Sequence, residues 1–239
     1  MPTSMVSSAQ NPQFQPAARV HQALTAGLEK RILQWLAVRT PSCIGSDHLT
    51  LLGLLAQCAA GLCYAASGAH RLALVGASIA IALNWLGDSL DGTLARLRHH
   101  ERPRYGFYVD HVVDILGSVA MMAGLACSGL VHPQVATAML VAFLVLSAES
   151  YLATYTLGRF EMAHSLFGPT EIRLLLIAGN LALLRTPFAT ILGHKFLLFD
   201  IGGIVATTGM ALMALVTASR HTRQLFLAEP LPRTPARER

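Results

Sequence analysis

Apolar residues in this chain come in long blocks. Six stretches, approximately 48–67, 71–90, 107–129, 133–157, 171–185 and 200–219, carry few charges. Most approach the roughly 20 residues that a helix needs to cross a bilayer. Ahead of them, residues 19–39 place Val20, Leu24, Leu28, Ile32 and Leu36 at four-residue steps, with Glu29, Lys30 and Gln34 on the opposite side. That pattern predicts an amphipathic helix too charged to span, lying in the membrane interface with Trp35 as an anchor. Pro41 ends it, and Ser46 or Asp47 is expected to cap the next helix. Small residues recur within the apolar blocks, Gly53, Gly61, Gly117 and Gly124 among them, and such residues let helices approach closely in lipid. The expected fold is all-α: an integral membrane protein of six transmembrane helices preceded by an N-terminal amphipathic interfacial helix.

Composition sharpens this picture. Of 239 residues 53% are hydrophobic and only 13% charged, with a mean hydropathy of +0.49, whereas a soluble domain carries about 25% charged residues. The net charge of +5 comes from basic residues that punctuate the apolar blocks and form no single face. Anionic lipid headgroups are the expected partner, not nucleic acid. Fifteen of the eighteen lysines and arginines fall on one side: the N-terminal region, the loop after the second block, the connection holding Arg159 and Arg173, and the C-terminal end. The bias places both termini and that second loop in the cytoplasm. Cys43, Cys58, Cys63 and Cys127 lack C-x-x-C spacing and read as packing residues. Residues 1–18 are polar and proline-containing, a disordered leader without the apolar core of a signal peptide. Residues 19–220 form one membrane domain, and 221–239, with Pro230, Pro232 and Pro235, a disordered cytoplasmic tail.

The chemistry concentrates between Asp88 and Asp114. Asp88 and Asp91 are three apart at the end of the second block, and Asp110 and Asp114 four apart at the start of the third. Each pair projects from one side of its helix. Carboxylates at a membrane edge are costly and read as functional, and a helical hairpin brings the two pairs to one depth. Four carboxylates, with no histidine or cysteine at ligand spacing, suit two hard cations such as Mg²⁺ or Mn²⁺. Two such ions can clamp the attacking and leaving oxygens of a phosphoryl displacement. Gly92 and Gly106 clear space for a ligand, Ala95 keeps the same face open, and Arg96 supplies a guanidinium fork for a pyrophosphate. A structural polar cluster, or the ion path of a non-enzymatic transporter, is the competing account of the carboxylates alone.

Asp88-x-x-Asp91-Gly92-x-x-Ala95-Arg96, then Gly106-x-x-x-Asp110-x-x-x-Asp114, resembles the motif of the CDP-alcohol phosphotransferase family. All eight fixed positions match in order; the nine residues between Arg96 and Gly106 make a longer loop than is usual there. The resemblance implies six spanning helices, a cytoplasmic juxtamembrane helix, and often a homodimer. It implies that Asp88, Asp91 and Asp110 hold one ion and Asp88, Asp110 and Asp114 a second. Gly92, Ala95 and Arg96 would line the cytidine diphosphate site, and Asp114 would take the proton of an acceptor hydroxyl. Asp47-x-x-Thr50 stands where many members have Asn-x-x-Thr and could touch the nucleotide. The implied reaction moves a substituted phosphate from a CDP-alcohol to an acceptor hydroxyl and releases CMP. CDP-diacylglycerol is the favoured donor, in a bacterial inner membrane with the active site facing the cytoplasm.

Other residues carry weaker expectations. His111 follows Asp110, as in the choline/ethanolamine phosphotransferase branch, and could share the base role because its pKa suits proton transfer near neutrality. In that branch CDP-choline or CDP-ethanolamine donates to diacylglycerol. Arg159 and Arg173 stand at the cytoplasmic edge, where they could bind a lipid or acceptor phosphate, although Gly168 to Arg173 also reads as a plain helix start. Glu149, mid-block beside Tyr151 and Tyr155, is expected to be a buried, hydrogen-bonded carboxyl.

Overall fold

The computed structural model describes residues 26–157 and 169–229. Helix α1 (Ala26–Arg39) is followed by α2 (Ser46–Ser67), α3 (Ala73–Leu97), α4 (Pro103–Ala126), α5 (Pro133–Leu157) and α6 (Pro169–Arg185). A hairpin of β1 (Phe188–Ile191) and β2 (His194–Leu197) then leads into α7 (Leu198–Ala228). Among the described residues, five helices, α2, α3, α4, α5 and α7, are long and apolar enough to cross a membrane. The fifth block of the sequence folds as α6, whose 17 described residues give about 25 Å at 1.5 Å per residue, against a hydrocarbon core of about 30 Å.

Helices α2, α3 and α4 form the centre, with α6 against α3, and α5 packed on α4 and α7. Glycine sets the crossing nearest the acidic residues. A Cβ on Gly87, one residue before Asp88, would stand 2.6 Å from the Leu49 carbonyl oxygen and 2.7 Å from the Gly53 nitrogen. Both atoms are backbone and cannot swing aside, so α2 and α3 touch here only because position 87 has no side chain. Asn84 Nδ2 donates to the Gly53 carbonyl at 3.1 Å, adding a polar tie to the same crossing. Eight residues further along α2, about two turns, a Cβ on Gly124 would run into the Gly61 backbone, which seals α4 onto α2. Deeper still, the Tyr64 hydroxyl bonds Asn180 Oδ1 at 3.0 Å, and Asn180 Nδ2 donates to Ser78 at 3.1 Å, joining α2, α3 and α6. Glu149 meets His221 of α7 at 2.5 Å with both side chains largely buried; it is a hydrogen-bonded carboxyl, as expected. The cysteines are free thiols.

Four features differ from the sequence pattern. The chain is not wholly α: Leu192 and Gly193, at φ 50° and 84°, make a two-residue turn that pairs Ile191 with His194 and Phe188 with Leu197, as two left-handed residues favour. Helix α7 continues to Ala228, so residues 221–228 are helix and not disordered tail. No glycine or proline interrupts the chain there before Pro230. Helix α1 has two apolar sides. Leu33 and Ala37 are buried against Leu49, Leu90 and Leu94, while Leu28, Ile32 and Trp35 remain exposed; the part expected over 19–25 lies outside the described residues. At α2, neither Ser46 nor Asp47 caps. Gly45 is the N-cap, and its N–H donates to His48 Nδ1 at 3.0 Å.

Candidate active site

The close α2–α3 crossing brings the end of α3 beside the start of α2. Thr50 Oγ1 donates to Asp91 Oδ2 at 2.6 Å, across 41 residues of chain, and the Gly92 N–H donates to Asp91 Oδ1 at 2.5 Å. Asp91 is therefore buried with both oxygens engaged. Three residues earlier on α3, Asp88 Oδ2 accepts from Arg173 of α6 at 2.7 Å. That ion pair is sheltered, the guanidinium only 15% exposed. From α4, Asp110 and Asp114 face the same region. Asp91 lies within electrostatic reach of Asp88 and Asp110, and Asp114 within reach of all three and of Arg173. The four aspartates thus share one locality built from α3 and α4, with α2 and α6 contributing a hydroxyl and a cation.

In ionised form these carboxylates repel one another strongly in a half-buried setting, and Arg173 offsets a single charge. Their donor chemistry, all oxygen with neither thiolate nor imidazole, suits a hard divalent cation. Among the described residues, however, no three acidic, histidine or cysteine side chains converge on one ion-sized point. Asp88 leans to Arg173 and Asp91 to Thr50. The donor types fit a metal, and in the arrangement shown Asp88 and Asp91 are held by protein donors.

A cleft opens beside the carboxylates. Its inner part is lined by Ser46, Asp47, Thr50, Asp91, Gly92, Ala95, His100, Arg102, Tyr105, Gly106, Val109 and Asp110. It shares Ser46, Asp47, Ala95, His100 and Arg102 with a larger cavity of about 450 Å³ that extends along Leu94, Arg98 and Glu101. The larger one does not reach Asp88, Asp91, Asp110 or Asp114. Gly106 borders the open part of the recess, where a Cβ would meet nothing within 4 Å. At Gly92 a Cβ would lie 3.3 Å from the Arg96 guanidinium, which folds back over that glycine and donates to Thr93 at 3.3 Å. Asp47 accepts from Arg102 at 2.6 Å through both oxygens, and Arg102 stacks on Tyr105 at 4.0 Å. The Asp47 bond pushes the already high pKa of Arg102 further up, so it stays a fixed positive charge at the mouth of the cleft.

Residues 45–221 match the family model for CDP-alcohol phosphatidyltransferase, which is well over half of the 239-residue chain. The chain belongs to that family. No curated protein matches it. Membership makes this an integral membrane transferase of phospholipid synthesis that moves phosphate groups from a CDP-alcohol, and α1 precedes the matched region.

Seven of the positions singled out in the sequence, Asp47, Thr50, Asp91, Gly92, Ala95, Gly106 and Asp110, line one recess. Asp88 and Asp114 stand next to it. Arg96 is exposed and lines neither cavity, its guanidinium turned onto Thr93 and Gly92 of its own helix. His111 bonds the Phe107 carbonyl through Nδ1 at 2.5 Å and packs on Phe107 and Tyr151, with ring centroids at 4.1 and 4.6 Å; Tyr151 is itself within electrostatic reach of Asp114. Arg173 is engaged with Asp88, and Arg159 lies outside the described residues. Two residues that sequence reasoning passed over hold the site's frame. Arg98, read as one charge of a basic loop, donates to the carbonyls of Ile44, Thr40 and Pro41 at 2.6, 2.8 and 3.0 Å and fixes the α1–α2 turn that forms one wall. Glu29, read as the polar side of α1, accepts from α3 and α6. Nothing in the local pattern signals either role, because every partner is more than fifty residues away.

Proposed function

We propose that this transferase moves a phosphatidyl group from CDP-diacylglycerol to a small hydroxylated acceptor and releases CMP. The supporting observation is the single recess that gathers Asp91 and Asp110 with Gly92, Ala95 and Gly106 beside a roomier, basic-rimmed cavity. A reacting phosphate needs the first set and a nucleotide head needs the second. In this reading the acceptor oxygen bonds to the β-phosphorus, the bridging P–O bond breaks, and CMP departs with its electron pair. The proton of the acceptor hydroxyl passes to a carboxylate oxygen of Asp114, which lies among the other aspartates where an attacking hydroxyl would sit. Asp88, Asp91, Asp110 and Asp114 would hold two Mg²⁺ or Mn²⁺ ions, whose charge would offset that developing on the phosphoryl oxygens. Thr50 keeps Asp91 in one rotamer, so its oxygens need not reorganise during the reaction. Arg96, swung off Thr93, would supply a guanidinium fork for the pyrophosphate, with Arg102 a further positive charge at the cleft, and Arg173 balances Asp88 or meets an acceptor phosphate.

The wider reading is a protein with six membrane-embedded helices, α1 in the interface and the cleft facing the cytoplasm of a bacterial inner membrane. A homodimer fits the same picture. A second partition of substrates, CDP-choline or CDP-ethanolamine donating to diacylglycerol, is favoured by the ring group of Phe107, His111 and Tyr151 near Asp114, since aromatic faces attract quaternary ammonium groups. The test uses membranes containing the protein, radiolabelled CDP-diacylglycerol or CDP-choline, and a panel of glycerol phosphate, serine, inositol phosphate and diacylglycerol. Phosphatidyl product from CDP-diacylglycerol supports the first partition. Consumption of CDP-choline alone replaces it with the second, and ion flux without CMP would favour a transporter.

A further inference from the structure

Glu29 sits on α1, before the region that matches the family, yet its carboxylate is among the most heavily engaged side chains described. Oε1 accepts from Trp85 Nε1 at 3.1 Å, from Ser89 Oγ at 3.2 Å and from Thr170 Oγ1 at 3.1 Å; Oε2 also accepts from Thr170 at 3.1 Å. Trp85 and Ser89 belong to α3, and Thr170 to the first turn of α6. Ser89 directly follows Asp88, and Thr170 lies three residues before Arg173, one helical turn away. One carboxylate therefore pins the two backbone segments that carry the sheltered Asp88–Arg173 ion pair. Helix α1 can act as a rigid holder because it is fastened twice more to the same partner. Leu33 and Ala37 pack on Leu90 and Leu94, and Arg98 grips the turn after α1.

We propose that Glu29 is a positioning residue: by clamping α3 to α6 it sets where Asp88 and Arg173 stand, and so how well the acidic site takes a divalent cation. This rests on the metal-dependent transfer proposed above. Glu29 touches neither substrate nor metal; it works through Asp88 and Arg173, as outer hydrogen-bond partners do in metal sites. The nucleotide side of α3, with Gly92 and Ala95, faces α2 and the cleft, so its contacts should not depend on Glu29.

The experiment uses the full chain in lipid nanodiscs, with Mn²⁺ affinity read by electron paramagnetic resonance without substrate, and kcat and donor KM read from CMP release. Glu29→Ala is expected to weaken Mn²⁺ binding and lower kcat, each by about tenfold or more, while donor KM stays within about twofold. Glu29→Gln should restore most of both, because its Oε1 can accept the same bonds from Trp85, Ser89 and Thr170. A folded Glu29→Ala protein with unchanged Mn²⁺ affinity and kcat overturns the proposal, as does a Glu29→Gln variant no better than the alanine. If Glu29→Ala does not accumulate, Thr170→Val cuts the link to α6 alone. A lowered Mn²⁺ affinity there supports the proposal, and an unchanged one overturns it. A wild-type protein that binds Mn²⁺ but releases CMP from no CDP-alcohol would defeat the transfer reading and leave the Mn²⁺ affinities of the variants to decide on Glu29.

Discussion

A short list of side chains makes the site, and each contributes something a neighbour could not. Asp91 is held by the Thr50 hydroxyl on one oxygen and the Gly92 amide on the other. A hydrogen bond to a charged acceptor contributes about 1.5–3 kcal/mol. Thr50→Val should therefore cut CMP release by about tenfold or more without shifting the melting midpoint by more than a few degrees; steady-state assays and thermal unfolding of the same sample check both halves. The aspartate spacing was readable from the chain because three- and four-residue steps on a helix are local facts. The partners were not. Thr50 with Asp91, Arg102 with Asp47 and Arg98 with the carbonyls of Thr40 and Ile44 are contacts across 41 to 58 residues, and no local pattern encodes which donor meets which acceptor.

Helices α2, α3 and α4 are where glycine and carboxylate act together. Gly87 lets α2 lie on α3 one residue before the first metal-binding candidate, so the packing glycine also sets the site. Gly87→Val places methyl groups against backbone atoms that a Cβ would already approach to 2.6 Å. Overpacking of that kind costs about 1–3 kcal/mol, and here it should also push Thr50 off Asp91. A lower melting midpoint together with lost activity is the expected result, measured on detergent-solubilised protein. Arg98→Ala removes the donor from three turn carbonyls at once; trypsin should then cut at Arg39 faster than in the wild type, followed by mass spectrometry of the fragments. The long apolar helices were legible from hydropathy alone. The hairpin was hidden because four-residue strands are too short to show a period, and the end of α7 because hydropathy falls before helicity does. On α1 two rungs of the four-residue apolar ladder, Leu28 and Ile32, are exposed, while Leu36 packs on the cluster in which Leu33 and Ala37, outside the ladder, are buried.

The whole molecule is a membrane transferase whose acidic cluster lies where the end of α3 and the start of α4 meet the start of α2. Large aliphatic side chains on the outer faces, such as Leu62, Leu152 and Val205, are between 65% and 74% exposed, the surface a lipid environment would cover. Family membership and motif agree on the class of reaction. Chelation is the global test of the cation proposal: EDTA should abolish CMP release, and Mg²⁺ or Mn²⁺, but not Ca²⁺ with its longer and looser coordination, should restore it. The most direct test of the central claim, that these four aspartates are the catalytic centre, is CMP release from CDP-diacylglycerol by wild-type protein and Asp91→Asn with Mg²⁺ titrated in. The account predicts metal-dependent release by the wild type and a loss of at least about a thousandfold in a folded Asp91→Asn protein. Release at near wild-type rate by that variant, or release indifferent to metal, would contradict it.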